Sequence, residues 1–255
     1  MKKLDKHFEN WKPETDVIIV GCSPTLRYYP FGKYIDQFDN VVRINKCFHE
    51  GLDGNTGKKM DVWCTTNRYG KEQRWGTSKS SGKWEGAEGD FNPLNETTKE
   101  IWPRLPITAR ELEHRGTLKN FKGKVVNMRT ENKRCVYNSK TFDDFNFKGL
   151  GTGLIALNYA VERFKKITII GHTFYLESKT PAVLDFDNEL IIENGIIQTG
   201  LEIDAQKKAR LNHCEGDKRA IKCLSYIKNW IENDQVIMLN PYEYDNMRVK
   251  WSDIK

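Results

Sequence analysis

The chain has 255 residues, and 41 Lys and Arg against 35 Asp and Glu leave a formal net charge of +6, spread along the sequence. No stretch approaches the roughly 20 apolar residues that span a bilayer, and no signal-peptide core opens the chain, so a soluble cytoplasmic protein with no transmembrane segment is expected. The positive excess is mild and forms no concentrated basic tract, so it reads as a solvated surface and no nucleic-acid partner is expected.

In chain order, residues 1–15 are a polar lead-in. Val17-Ile-Ile-Val-Gly21 is an apolar run stopped by glycine, the signature of a buried parallel strand entering a tight turn. Asn40 to Ile44 predict a second strand, with Asn45 just beyond its end, and 61–65 a third. Residues 70–100 are rich in Gly, Ser, Lys and Trp and read as a long irregular excursion. A strand is predicted at 124–128. Leu154, Leu157, Ala160, Val161 and Phe164 then fall on one helical face, followed by strands at 167–171 and 235–239. Residues 176–210 interrupt the last strand–helix units and suit a lid over a ligand. Strands alternating with helices predict one α/β domain over 1–255, a mainly parallel sheet with helices on both faces. Six cysteines without a C-x-x-C pair signal neither zinc nor a disulfide framework, and read as reduced, structural thiols.

Several residues carry chemistry. Gly151-Thr152-Gly153 opens a helix, where backbone N–H groups and the positive dipole end can cradle an anion. A glycine-bearing helix start that binds nothing has the same appearance. An S-adenosylmethionine methyltransferase also uses a G-x-G turn, but after an apolar strand and with an acid ending the next strand. Here Phe142-Asp-Asp-Phe-Asn-Phe-Lys148 precedes, and Gly171-His172 follows, which weakens that reading. Asn212 or His213 precedes a predicted helix with Glu215 and Asp217 in its first turn. The helix end lowers the imidazole pKa and the carboxylates raise it, which keeps a neutral base within reach near pH 7. Read alone, such a histidine is more often structural. Asp185-Phe-Asp187 is a D-x-D sequence able to hold a divalent ion on a diphosphate, but it lies late, in the lid, and reads as a coincidence of an acidic loop.

The ordered set of motifs resembles the sialyltransferase family. Val17-Ile-Ile-Val-Gly-Cys-Ser23, leading through Gly32-x-x-Ile35-Asp36-x-x-Asp39 to Arg43-x-Asn45, is similar to the family's large motif, and Gly57-Lys-Lys-Met-Asp61 to the segment that closes it. Gly151-Thr152-Gly153 before an apolar helix and Ile167-Thr-Ile-Ile-Gly171 resembles the small motif. Gly171-His-Thr-Phe-Tyr175 resembles the G-I-D-F-Y of bacterial surface-sugar sialyltransferases, and His213 to Leu224 the histidine-plus-acidic-helix segment.

The resemblance implies a Rossmann-like glycosyltransferase fold (a GT-A variant) that moves sialic acid, or a related acidic keto sugar, from a CMP-sugar to a glycan or glycolipid hydroxyl with inversion. It implies Ser23, Asn45, Thr152 and Gly153 as nucleotide contacts, with Gly21, Asn67, Gly151 and His172 in the same donor site. It further implies His213 as general base and Tyr175 as hydrogen-bond donor to the leaving phosphate, with no metal and no cofactor. Three departures stand out. Cys22 replaces the usual Asn, the acids follow His213 by two and four residues, and Arg163 lies about where the animal enzymes have their second motif cysteine. A CMP-Kdo transferase, a metal-dependent transferase built on Asp185 and Asp187, and a non-catalytic glycan-binding descendant remain as alternatives.

Overall fold

The computed structural model describes residues 12–21, 26, 30–45, 53–65, 94–114, 116–129, 152–172, 191–193, 196–198 and 218–239. In chain order these form β1 (Val17–Val20), α1 (Gly32–Ile35), β2 (Asn40–Ile44), α2 (Asp53–Thr56) and β3 (Val62–Thr65). Then come β4 (Glu100–Pro103), α3 (Pro106–His114), β5 (Lys124–Val125), α4 (Thr152–Arg163), β6 (Ile167–Ile170), β7 (Ile191–Glu193), β8 (Ile196–Gln198), α5 (Lys218–Glu232) and β9 (Val236–Leu239).

Seven strands make one sheet in the order β5-β4-β3-β2-β1-β6-β9, and every neighbouring pair in it is parallel. The expected α/β architecture with a mainly parallel sheet is therefore present. Strand order reverses at β1: β2 follows it on one side and β6 lies on the other. Such a reversal leaves a crevice outside the carboxyl ends of the strands, because the connections leave β1 and its neighbours in opposite directions.

Alternate residues of each strand explain why both faces are covered. Val17, Ile19, Val42, Ile44, Ile167, Ile169, Val236 and Met238 pack with Ile155, Leu157 and Val161 of α4 and with Cys223, Ile227 and Trp230 of α5. Ile18, Val20, Val41, Ile170 and Ile237 point the other way, onto Phe31, Tyr34, Ile35 and Phe38. Trp63 and Ile101 continue that second face against Leu112 of α3. Apolar side chains on both faces are what a central parallel strand requires, and each such buried side chain contributes about 1.5–3 kcal/mol.

Three strands depart from the sequence reading. β4, Glu100-Ile-Trp-Pro103, has two apolar residues between a charge and a proline, too short a run to register as a strand. Its pairing begins with the Lys99 and Glu100 N–H groups donating to the Asp61 carbonyl at 2.7 and 3.0 Å. β7 and β8 form a separate antiparallel pair inside the expected lid at 176–210, whose remaining residues lie outside those described. The irregular excursion ends before β4, and of it only residues from 94 onward are described.

The far end of α4 is clamped to β4. Arg163 reaches the Glu100 carboxylate with both guanidinium nitrogens, at 2.5 and 3.2 Å, while the Trp102 indole N–H donates to the same carboxylate at 2.7 Å. The guanidinium also lies over the rings of Trp102, Phe164 and Tyr159, at 5.3, 5.6 and 5.8 Å. The Arg163 hydrogen bond is the main cause holding the Glu100 carboxyl below its ordinary range, against the opposing effect of burial. Cys64 and Cys223 are buried and form no disulfide. Among the described residues no helix is long and apolar enough to cross a membrane.

Candidate functional site

The described site residues converge on the carboxyl edge at the switch point. β1 ends at Gly21, whose N–H donates to the Ile170 carbonyl at 2.8 Å, which ties the β1 turn to the end of β6. An added Cβ on Gly21 would overlap the carbonyl oxygen of Gly171. Glycine at this position is therefore a demand of the fold, which brings two backbones together.

β2 ends in Asn45, which adopts the left-handed conformation at φ 52°. Asparagine tolerates that region better than most residues. Its N–H donates to the Cys64 carbonyl at 2.7 Å, and its carbonyl accepts the Trp63 indole N–H at 2.8 Å. The buried Trp63 thus fixes the turn at the end of β2, and the Asn45 position is set by backbone contacts.

α4 begins at the edge, with Thr152 buried and Gly153 beside it. Among the described residues a Cβ built on Gly153 would meet nothing closer than 3.5 Å: Cε1 and Nδ1 of His172 at 3.5 Å and Cδ1 of Ile44 at 3.7 Å. Those are ordinary contacts. Unlike Gly21, Gly153 is not required by packing among the described residues, although alanine favours helices over glycine by about 0.5–1 kcal/mol. The first backbone N–H groups of α4 have no partner inside the helix by construction, and together with the helix dipole they suit an anion.

His172 follows β6 and completes the edge. Part of the residue reaches the surface, yet burial of the imidazole is the main influence on its pKa and lowers it from 6.5 to about 4, against a hydrogen bond with the Ile19 backbone. That bond favours the charged ring, so the Ile19 carbonyl accepts it from a ring N–H.

Other residues of the large-motif resemblance build the frame beneath this edge. The Asp36 carboxylate accepts the Lys58 N–H at 2.9 Å and the Lys59 N–H at 2.9 Å, and it fills the place of a side chain at Gly57, whose φ is 75°. Buried Arg43 donates through Nε to the Lys59 carbonyl at 2.8 Å and lies 3.8 Å from Asp36. Buried Asp61 accepts the Val41 N–H at 2.9 Å and pairs with Lys99 at 2.8 Å. Asp36, Arg43, Gly57 and Asp61 thus lock β2 to the turn before β3. Nothing local in the sequence signals this role, because only the folded chain brings the Asp36 carboxylate to Gly57.

Of the expected site residues, Gly21, Asn45, Thr152, Gly153 and His172 lie at this edge. A side chain at either Gly21 or Gly153 would meet the same His172 ring. Ser23, Asn67, Gly151, Tyr175 and His213 lie outside the described residues, as do Cys22, Asp185 and Asp187. A helix does follow His213, as α5 from Lys218 onward, but its first turn holds no acid: Glu215 and Asp217, expected in that turn, precede it and lie outside the described residues. Among the described residues no group of three or more His, Cys, Asp or Glu side chains could hold a metal ion.

No family model matches the chain, and no characterised protein matches it by sequence. Solved structures that align with it include two crystal structures of a mammalian sialyltransferase, one in complex with Gal-beta-1-3GalNAc-ortho-nitrophenol. They are 13% and 12% identical to this chain, cover 94% of it and 78% of their own chains, and give a TM-score of 0.44 in both cases.

Proposed function

We propose that this chain is a glycosyltransferase of the sialyltransferase type, which moves sialic acid or a related acidic keto sugar from a CMP-sugar to a hydroxyl of a glycan or glycolipid. The observation that carries the proposal is Gly153. It lies at the first turn of a helix, and among the described residues nothing crowds a side chain there, which would meet His172 after β6 and Ile44 of β2 at ordinary distances. Leaving out that side chain keeps room for close approach of a ligand to the α4 N–H groups, and an anion is the group such a helix end favours. The order of the motif resemblances along the chain supports CMP as the nucleotide.

In this reading one phosphate lies against the backbone of Thr152 and Gly153, with Asn45 and Ser23 on the nucleoside. His213 takes the proton of the acceptor hydroxyl as its oxygen bonds to the anomeric carbon. The bond from that carbon to the phosphate oxygen breaks on the opposite face, CMP leaves, and the configuration inverts. The Tyr175 hydroxyl donates to the phosphate oxygen that gains charge. A monophosphate leaving group needs only these donors, so the reaction proceeds without a bridging metal.

Thermal melting with CMP, UDP, GDP, ADP and S-adenosylmethionine tests the nucleotide, since a ligand that binds the native state raises the melting temperature. CMP is expected to raise it most. A preference for UDP or for S-adenosylmethionine would overturn the reading. Turnover of CMP-sialic acid and CMP-Kdo, in the presence of EDTA, then identifies the sugar and the metal requirement. Activity that EDTA abolishes and manganese restores would move the site to Asp185 and Asp187.

A further inference from the structure

At the switch point one side chain borders the gap from both sides. A Cβ on Gly21 would come 3.0 Å from Cδ2 of His172, and one on Gly153 would lie 3.5 Å from its Cε1 and Nδ1. One edge of the imidazole thus faces the β1 turn and the other faces the start of α4. Ile44, at the end of β2, closes a further side, 3.7 Å from the same Gly153 position.

We propose that His172 is a positioning residue: its imidazole is the wall that holds the start of α4 about a methyl group's width away from β2 and the β1 turn, and the ring neither accepts a proton from the acceptor nor pairs with phosphate as a cation. The inference rests on reading the α4 start as the phosphate site.

The backbone that carries the ring is fixed. Gly171 has a φ of 69°, and a side chain there would overlap Leu26, which is itself fully buried. The ring is fixed too, through its hydrogen bond to the Ile19 backbone. A group that sets a gap to within a fraction of an ångström has to be held in this way by its surroundings. With its pKa lowered to about 4, chiefly by burial, the imidazole is neutral at pH 7. A base with so low a pKa is poorly matched to deprotonating a hydroxyl near neutrality, and a neutral ring adds no charge to a phosphate site.

Two variants of the full-length chain separate shape from chemistry, with CMP as the probe in calorimetry. His172→Phe keeps a planar ring and removes both nitrogens, whereas His172→Ala removes the wall. With the wall intact, the Phe variant binds CMP within about three-fold of wild type, and the Ala variant loses about ten-fold or more. Equal losses in both variants, with melting temperatures near wild type, would assign the effect to the ring nitrogens and overturn the proposal. Wild-type affinity in a folded Ala variant would overturn it as well. A nitrogen-15 histidine titration of wild type, without ligand, decides the charge independently. A His172 midpoint below about pH 5 sustains the proposal, and one near the ordinary 6.5 overturns it. If wild type binds no CMP, the phosphate-site reading fails, and the titration still judges His172.

Discussion

Replacing Gly153 with alanine should make the protein more stable and worse at binding its ligand. Among the described residues the added methyl has no neighbour closer than 3.5 Å, so no overlap with them offsets the gain in helix propensity. Gly-to-Ala in a helix is worth about 0.5–1 kcal/mol, through the reduced freedom of the unfolded chain. For a chain of this size that is a rise of roughly 1–4 °C in melting temperature. The same methyl occupies the space between α4, His172 and Ile44 that a phosphate needs to reach the backbone N–H groups. CMP affinity is therefore expected to fall by about ten-fold or more, since one displaced charge-assisted hydrogen bond is worth about 1.5–3 kcal/mol. Thermal melting read by circular dichroism, with calorimetry of CMP on the same samples, measures both effects. Gly21→Ala is the control: its methyl would overlap the Gly171 carbonyl oxygen, so it should cost about 1–3 kcal/mol whatever the ligand. If Gly153→Ala lowers stability as Gly21→Ala does, the glycine serves packing. If it leaves CMP affinity intact, no phosphate lies there. Either result refutes the reasoning.

Three further outcomes are expected. His172 has a folded pKa of about 4 against an ordinary 6.5, so the unfolded chain binds its proton first and stability falls as pH drops from about 6.5 towards 4. The loss is about 3 kcal/mol, read as the difference in urea unfolding between wild type and His172→Phe across that range. Glu100→Gln should cost about 1–2 kcal/mol by leaving the half-buried Arg163 guanidinium without its carboxylate. Because Arg163 holds the Glu100 pKa below 4.5, the contribution is present above that pH and fades as the carboxyl protonates, which a melt series at pH 3–7 would show. His213→Ala should lower turnover of the CMP-sugar by about 10²–10⁴ while CMP binding stays nearly unchanged. A folded His213→Ala variant with normal turnover removes it from the mechanism.

Much of the sheet is written locally. Val17–Val20, Asn40–Ile44, Ile167–Ile170 and Val236–Leu239 are short apolar runs, because strands covered on both faces need apolar side chains at successive positions. The face of α4 is equally legible, since Leu154, Leu157 and Val161 repeat at helical spacing and are buried in the structure. β4 is not legible. Glu100-Ile-Trp-Pro103 becomes a strand because β3 and the Asp61 carbonyl offer it partners, and a local pattern carries no record of a partner.

The candidate site divides in the same way. The sequence by itself marks Gly21, Asn45, Gly153 and His172 as residues beside strand ends and a helix start. Their meeting depends on the order β2-β1-β6, which sets the ends of β2 and β6 on either side of β1 and lays α4 across them. Gly21 and Gly153 look alike in the sequence, each a glycine next to an apolar segment. Only the tertiary structure separates them: a carbonyl oxygen fills the place of a side chain at Gly21, whereas among the described residues a side chain at Gly153 would make only ordinary contacts with His172 and Ile44. The distinction arises because a glycine's purpose is set by what stands opposite it, and at both positions that neighbour belongs to a distant part of the chain.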